Sequence, residues 1–446
     1  MFSSKRAIVL SGLVSLGLAL LSACGSSSTS FHQQPVTVSI ATSPTNIGVG
    51  ANWQYSATVS GSTNQTVTWT ASAGTIDSTG LYIAPNTVPN PAAVTITAQA
   101  AADSSATKSA TITVQLTDPL GSVSNVTPLP SCAGSLPNGT CYSMTISCQG
   151  ASDLTAYLKV LTPQGAPIGT VLFGVGTGGS GLYDQAYSGG SSVVQSIQLA
   201  GYNTVQVSFG APFTSSQPNG WLQGPGGVRR VACRYATVAD WVYHNPTMIN
   251  PGVSVSNSSP MCATGNSGGS AAIAYAIYEY GLSSNNELVM VELTSGPVMS
   301  RIDQGCSPCS SNVEGPVCPG GSNQAQLCYQ SADASVIDEA YQATGSSTPT
   351  PCTNALNGSP ASNASALFLS DSILYNGPQT VPITHTAIKQ LFGDTDTSNA
   401  VAEGMIWNEE ISPIPALQCL SNVQHDIPSY TTGAQQIVAD ITSACH

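Results

Sequence analysis

The stretch PMCATGNSGGSAAIAYAIYEYG, residues 260–281, decides how the chain is read. MCAT is a short apolar run, fit for a buried strand. SGGSAAIAYAIYEY has alanine on most turns and reads as a helix stopped by Gly281. Between them Ser267 stands with Gly265 two residues before it and Gly269 two residues after. A strand that turns straight into a helix reverses so tightly that side chains flanking the tip would collide. Glycine at those two positions relieves the collision and leaves the serine hydroxyl projecting alone. The first N–H groups of the helix, that of Gly268 foremost, lie beside it with no intrahelical acceptor. In a chain with 43 glycines the pattern G-x-S-x-G also arises by chance, so its surroundings must carry the reading.

Working outward, both sides of this stretch alternate between strand and helix patterns. YSMTISC and TAYLKVLTP read as opening antiparallel strands, IGTVLFGVG as a buried strand, VVQSIQLAGY as a helix and NTVQVSFG as a strand. An amphipathic helix, GGVRRVACRYATVADWVYHN, precedes the decisive stretch, and NELVMVELTSGP follows it as a strand. This order predicts a mostly parallel sheet flanked by helices on both faces. Residues 304–380 interrupt it with a Cys-, Pro-, Gly- and Ser-rich insertion holding one helical piece, DASVIDEAYQA; its composition shows no charge that would select a charged substrate. Alternation resumes with HTAIKQLFG and closes on GAQQIVADITSA. Residues 36–116 differ: short alternating runs at intervals of about ten residues, with turn residues between them, predict a separate all-β sandwich. Residues 117–131 read as a linker, and 132–446 as the second domain.

Of the 446 residues only 7% are charged, against roughly 25% in a typical soluble domain. Nine Lys and Arg are too few for the clustered cations that nucleic acid needs, so that partner is excluded. Arg229 and Arg230 read as a solvated or ion-paired helix face. The N-terminus has Lys5 and Arg6, an apolar run to Leu21 and the ending LSAC, a signal-peptide layout over residues 1–23. Residues 24–35 then read as a tether. Without Lys5 and Arg6, seven basic residues face 22 acidic ones. Thirteen cysteines leave an even twelve if Cys24 is set aside, which in an exported chain predicts up to six disulfides. Cys233 with Cys262 and Cys419 with Cys445 are plausible partners. CSPC at 306–309 with Cys318 and Cys328 lacks a second C-x-x-C and reads as disulfide cysteines rather than zinc ligands.

Three resemblances sharpen these expectations. LSAC resembles a bacterial lipobox, which implies lipidation at Cys24 and anchoring to a bacterial membrane, facing the periplasm or the exterior. VTWTASAGTIDSTGLYIAP resembles group 2 bacterial Ig-like domains, implying Trp69 as a core aromatic and a spacer role for the module. From about residue 145 to 445 the chain resembles the α/β-hydrolase superfamily, on the elbow at Ser267 and on VLFGVGTGGSG (171–181), which is similar to an oxyanion loop. That resemblance implies Ser267 as nucleophile and the N–H groups of Gly268 and Thr177 as oxyanion donors. Val175 stands where the family usually has histidine. The acid and base must follow the serine. KQLFGDTDTSNA (389–400) gives Asp396 as the acid, with Asp394 and Asp303 as alternatives. NVQHDIPSYTTG places His425 before the last helix as the base. A trypsin-like arrangement, which also has a G-[DN]-S-G-G run, fails because its His and Asp precede the serine.

The reading is a multidomain chain, an Ig-like β-sandwich followed by an α/β-hydrolase fold with a Cys-rich insertion. Its expected activity is serine hydrolysis of a carboxylic ester, a peptidase being less favoured. An inactive hydrolase-fold adhesin or glycan-binding surface protein is the reading from another class. No metal or organic cofactor is implied. Trp221 and Trp407 read as core packing or as a pocket wall. Oligomeric state and substrate identity are not legible.

Overall fold

The computed structural model describes residues 34–210, 220–249, 259–309, 315, 317–319, 326–343, 345–375 and 383–446. The signal-peptide and lipidation readings, Cys24 included, lie outside the described residues. Residues 36–446 form one compact unit.

Residues 37–115 are all-β. A four-stranded sheet in the order Asn46–Gly48, Thr107–Gln115, Ala93–Ala100, Val67–Ala71 lies with a three-stranded sheet of Asn52–Gln54, Leu81–Ile83 and Thr75–Ile76. Period-two patterning does the work: in Ala93–Ala100, Val94, Ile96 and Ala98 are buried and the residues between them are more exposed. Trp69 is buried, its ring 6.0 Å from that of Tyr55.

The second part is built on one nine-stranded sheet. Its strands in chain order are β1 (Ser122–Pro128), β2 (Thr140–Ser147), β3 (Leu154–Leu161), β4 (Gly169–Gly174), β5 (Tyr202–Phe209), β6 (Met261–Asn266), β7 (Met290–Thr294), β8 (Ala387–Gly393) and β9 (Ala416–Leu420). The spatial order is β1-β2-β3-β5-β4-β6-β7-β8-β9. β1, β2, β3 and β5 pair antiparallel; from β5 to β9 every pairing is parallel. This mixed sheet with helices is consistent with an α/β-hydrolase arrangement. Residues 122–128, read from sequence as part of a linker, are the edge strand of this sheet. The polar run SVSNVTP has only Val123 and Val126 facing inward, too weak a signal for a strand.

Side-chain alternation sorts the helices onto two faces. Val171 and Phe173 of β4 pack with α1 (Gly190–Leu199) and α7 (Thr431–Ala444), whereas Leu172 packs with α2 (Cys233–His244) and α3 (Gly268–Tyr278). The same alternation decides the disulfides and corrects both expected pairings. Cys262 of β6 points toward α7 and joins Cys445; Cys233, on the opposite face, joins Cys148. Cys419 of β9 joins Cys318 of the insertion. Cys132–Cys141, Cys306–Cys352 and Cys309–Cys328 complete six bridges, so the CSPC cysteines are both in disulfides. The insertion carries α4 (Ser331–Glu339) and α5 (Ala364–Asp371) and is pinned to the sheet by the Cys318–Cys419 bridge.

The all-β module is not free-standing. Ile47, Val49 and Tyr55 belong to the same buried cluster as α2 and α3. Arg229, only 2% exposed, donates to Asp118 Oδ2 at 2.6 Å, to Val49 O at 2.9 Å and pairs with Glu279 Oε2 at 2.7 Å. Its guanidinium lies 4.5 Å from the Tyr375 ring centroid. Asn52 Nδ2 donates to Asp371 Oδ1 and Ser370 Oγ of α5 at 2.7 and 3.0 Å. Of the arginine pair expected on a solvated or ion-paired face, Arg229 is thus buried and ion-paired, while Arg230 is half-buried, donates to Gly226 O at 3.0 Å and lies 4.5 Å from the Trp53 ring centroid. These polar contacts join positions up to 319 residues apart, so no local pattern announces them.

One buried acid sets a stability expectation. Glu292 of β7 is fully buried and neither carboxyl oxygen has a hydrogen-bond partner. Burial pushes it well above the usual carboxylate range, Asp440 adds to this, and Lys389 opposes it. The folded chain therefore holds a proton that the unfolded chain releases near the ordinary value. Stability from this group is complete at low pH and is lost as pH rises toward the raised value. Glu292→Gln keeps the shape without the charge. It is expected to shrink the fall in melting temperature between about pH 5 and about pH 8. An unchanged fall in the variant would show that the Glu292 carboxyl is not raised in the folded chain above its unfolded value.

Candidate active site

The proposed site residues all follow the C-terminal ends of parallel strands, where open α/β sheets bind ligands. Ser267 follows β6 directly, with φ 54° and ψ −117°. Side chains rarely adopt that conformation, and the packing shows why this one does. A Cβ on Gly265 would sit 2.6 Å from the Gly269 carbonyl carbon; one on Gly269 would sit 2.8 Å from the oxygens of Gly174 and Val175. Gly268 is closer still, with the Thr177 carbonyl oxygen 1.9 Å from where a Cβ would stand. The elbow and the loop after β4 are thus in backbone contact. Thr177 has φ 52°, a strained value for a β-branched residue. The hydroxyl of Tyr187 accepts the Gly176 N–H at 2.8 Å and steadies the loop.

His425 Nδ1 donates to Asp396 Oδ2 at 3.0 Å. Asp396 is 4% exposed, and its Oδ1 accepts the Ser398 N–H at 2.9 Å. Ser398 Oγ lies 3.1 Å from the same imidazole nitrogen, and Ser295 Oγ donates to the His425 carbonyl at 2.7 Å. The Asp396 bond places the proton on Nδ1 and leaves Nε2 with the lone pair. Burial opposes the charge on both groups, yet their mutual bond and attraction prevail: Asp396 is held below its ordinary value and His425 above it, with Asp426 and Asp333 adding to the latter. The alternative acids are engaged elsewhere. Asp394 Oδ1 accepts the Asn422 N–H at 2.7 Å, and Asp303 makes a two-point pair with Arg301 at 2.9 and 2.8 Å.

Ser267, Gly268, Thr177, Asp396 and His425 line one cavity of about 890 Å³. The insertion supplies much of the remaining wall, including Tyr329, Gln330, Asp333 and Ile337. Asp333 corrects the expectation that this wall carries no charge: one carboxyl on α4 faces the cavity. Burial raises it above its ordinary value. Trp221 and Trp407 are buried in the core, 1% and 0% exposed.

Sequence reading missed Ser398, Ser295, Tyr187 and Glu403. Glu403, on α6 (Asn399–Glu410), is fully buried and accepts the N–H groups of Met299 and Arg301 at 3.0 and 3.1 Å and the Tyr329 hydroxyl at 3.0 Å. It ties the loop after β7 to the insertion. Burial pushes its carboxyl up to about 7, against these hydrogen bonds. The only sequence signal was an acidic residue within the apolar run AVAEGMIW.

No protein-family model matches the chain, and no curated protein matches it. Solved structures do. An esterase of Pyrobaculum calidifontis is 15% identical, with 70% of this chain and 86% of that one covered and a TM-score of 0.40. EstE1, a thermophilic carboxylesterase cloned from a metagenomic library, is 12% identical over 70% and 91%, with a TM-score of 0.41. Brefeldin A esterase, a bacterial homologue of human hormone-sensitive lipase, is 13% identical over 71% and 80%, with a TM-score of 0.40.

Proposed function

We propose that this chain is a serine hydrolase of carboxylic esters, with Ser267, His425 and Asp396 as its triad. The observation that carries the proposal is the Asp396–His425 bond on the same cavity wall as a serine held at a strained strand-to-helix turn. Neutral His425 takes the Ser267 proton through Nε2 as Oγ attacks the acyl carbonyl. The imidazolium so formed is stabilised by Asp396. The N–H groups of Gly268 and Thr177 receive the charge that develops on the carbonyl oxygen. His425 returns the proton to the departing alkoxide, leaving an acyl-enzyme, and then activates the water that releases the acid.

The cavity lies toward the upper end of the roughly 300–1,000 Å³ typical of small-molecule sites. Turnover of p-nitrophenyl esters of increasing acyl length tests the proposal and sizes the pocket. Hydrolysis that depends on His425 supports it. No turnover of any ester by the folded, disulfide-intact chain would favour the binding-protein reading.

The pH profile has a defined sign. His425 must be neutral to act, and its neighbours raise it. The acid limb of kcat/KM is therefore expected at a midpoint above the ordinary histidine value of about 6.5. Asp333→Asn removes one of the carboxylates that raise it, so that midpoint is expected to move to lower pH. A midpoint at or below the ordinary value in the unaltered chain would contradict the raising of His425 by its neighbours, and a flat profile from about pH 4 to about pH 8 would contradict His425 as base.

We further propose that the chain is exported and lipid-anchored through Cys24, and that residues 36–116 are a bacterial Ig-like module. The sequence motifs support both, and six disulfides are chemistry suited to an oxidising compartment.

A further inference from the structure

A second cluster of polar side chains lies at the far end of α3 from Ser267. Helix α3 spans 11 residues, about 16 Å at 1.5 Å per residue. Beyond its C-terminal end, the loop leading to β7 carries Glu287. This residue is 3% exposed. Its Oε1 accepts from Asn285 Nδ2 at 3.3 Å, while Oε2 is buried and has no hydrogen-bond partner. A loop hydrogen bond from the Glu287 N–H to Leu282 O, 3.0 Å, fixes the backbone that buries it. Beside it, Asp240 and His244 stand one turn apart on α2 and so share a face. His244 Nδ1 lies 3.3 Å from Asp240 Oδ1 and 2.9 Å from Asp240 O. One ligand atom from each of Asp240, His244 and Glu287 lies within 4.8 Å of the others.

We propose that Asp240, His244 and Glu287 form a binding site for a divalent transition-metal ion. Two carboxylates and an imidazole supply two negative charges and one nitrogen donor. That set suits zinc and its neighbours, whereas calcium and magnesium favour oxygen alone. A buried carboxylate oxygen without a donor is costly, and a cation there satisfies it. Glu287 is the fixed ligand. Asp240 and His244 have partly exposed side chains, 30% and 53%, which are free to close on an ion and leave its outer side to water. The site joins the end of α2 to the loop after α3, so its role is structural and separate from the chemistry at Ser267.

The test uses Zn2+ with the disulfide-intact chain after chelator treatment and dialysis. Calorimetry is expected to show one Zn2+ per chain, with a melting temperature that rises on addition. Glu287→Gln and His244→Ala are each expected to weaken binding by about tenfold or more. His244 is half exposed, so its variant keeps the test valid should Glu287→Gln fail to fold. No binding by the unaltered chain, or equal binding by the His244→Ala variant, would overturn the proposal. Ester turnover by His244→Ala is expected to match the unaltered chain.

Discussion

Ser267→Ala is expected to lower kcat/KM for ester hydrolysis by roughly four to six orders of magnitude, leaving only what binding and the oxyanion donors supply. The loss should fall on kcat, because the methyl side chain occupies the same space and substrate binding does not need the hydroxyl. Melting temperature and circular dichroism should be nearly unchanged, since the hydroxyl contributes to none of the packing that fixes the elbow. The glycines do that. A Cβ on Gly268 would meet the Thr177 carbonyl at 1.9 Å, so Gly268→Ala should damage fold and activity together. The two variants thus separate chemistry from architecture. Residual activity within tenfold of the unaltered chain in Ser267→Ala would mean that another group attacks the ester.

The second large effect is expected at Arg229. Its guanidinium is shared among the all-β module at Val49, the crossing segment at Asp118, the end of α3 at Glu279 and the ring of Tyr375. Coulombic attraction from Asp118 and Glu279 outweighs the burial that disfavours its charge. Removing one member of a buried ion network leaves the others buried without compensation. Arg229→Met is therefore expected to cost about 3–5 kcal/mol of stability, measured by denaturant unfolding. Adding Glu279→Gln and Asp118→Asn should recover part of the loss, since the stranded charges go too. A cost below about 1 kcal/mol would place the network among surface ion pairs in energetic terms. The effect should reach the cavity at Ser267, because the same module holds α5 of the insertion through Asn52 and Asp371.

Much of this was legible before any coordinates. The elbow was, because a strand-to-helix turn this tight demands glycine at fixed offsets, and Gly265 and Gly269 are there. The Asp396–His425 contact was, because Asp396 follows the strand run KQLFG, His425 lies in the loop before the last helix, and both come after the serine. The alternating strand and helix patterns marked the parallel strands β4 to β8 for the same reason: each element buries a face, and burial leaves a period; β9, a partly exposed edge strand, left no such mark. What stayed hidden depends on residues far apart in sequence. Ser398 and Ser295 support His425 through bonds across 27 and 130 positions, and serines are too common in this chain to single out. Strand β1 was missed because an edge strand can be polar. The disulfides were misassigned because spacing carries no information about which face of the sheet a cysteine points to. Asp333 was overlooked because composition records that a charge exists in the insertion but not that its helix turns it into the cavity.

The most direct test of the account is covalent. The chain from Gly25 onward is treated with a fluorophosphonate probe, and the labelled peptide is identified by mass spectrometry. A single label is expected on Ser267, absent from Ser267→Ala and strongly slowed in His425→Ala. A label on another serine, or none on the folded, disulfide-intact chain, would contradict it.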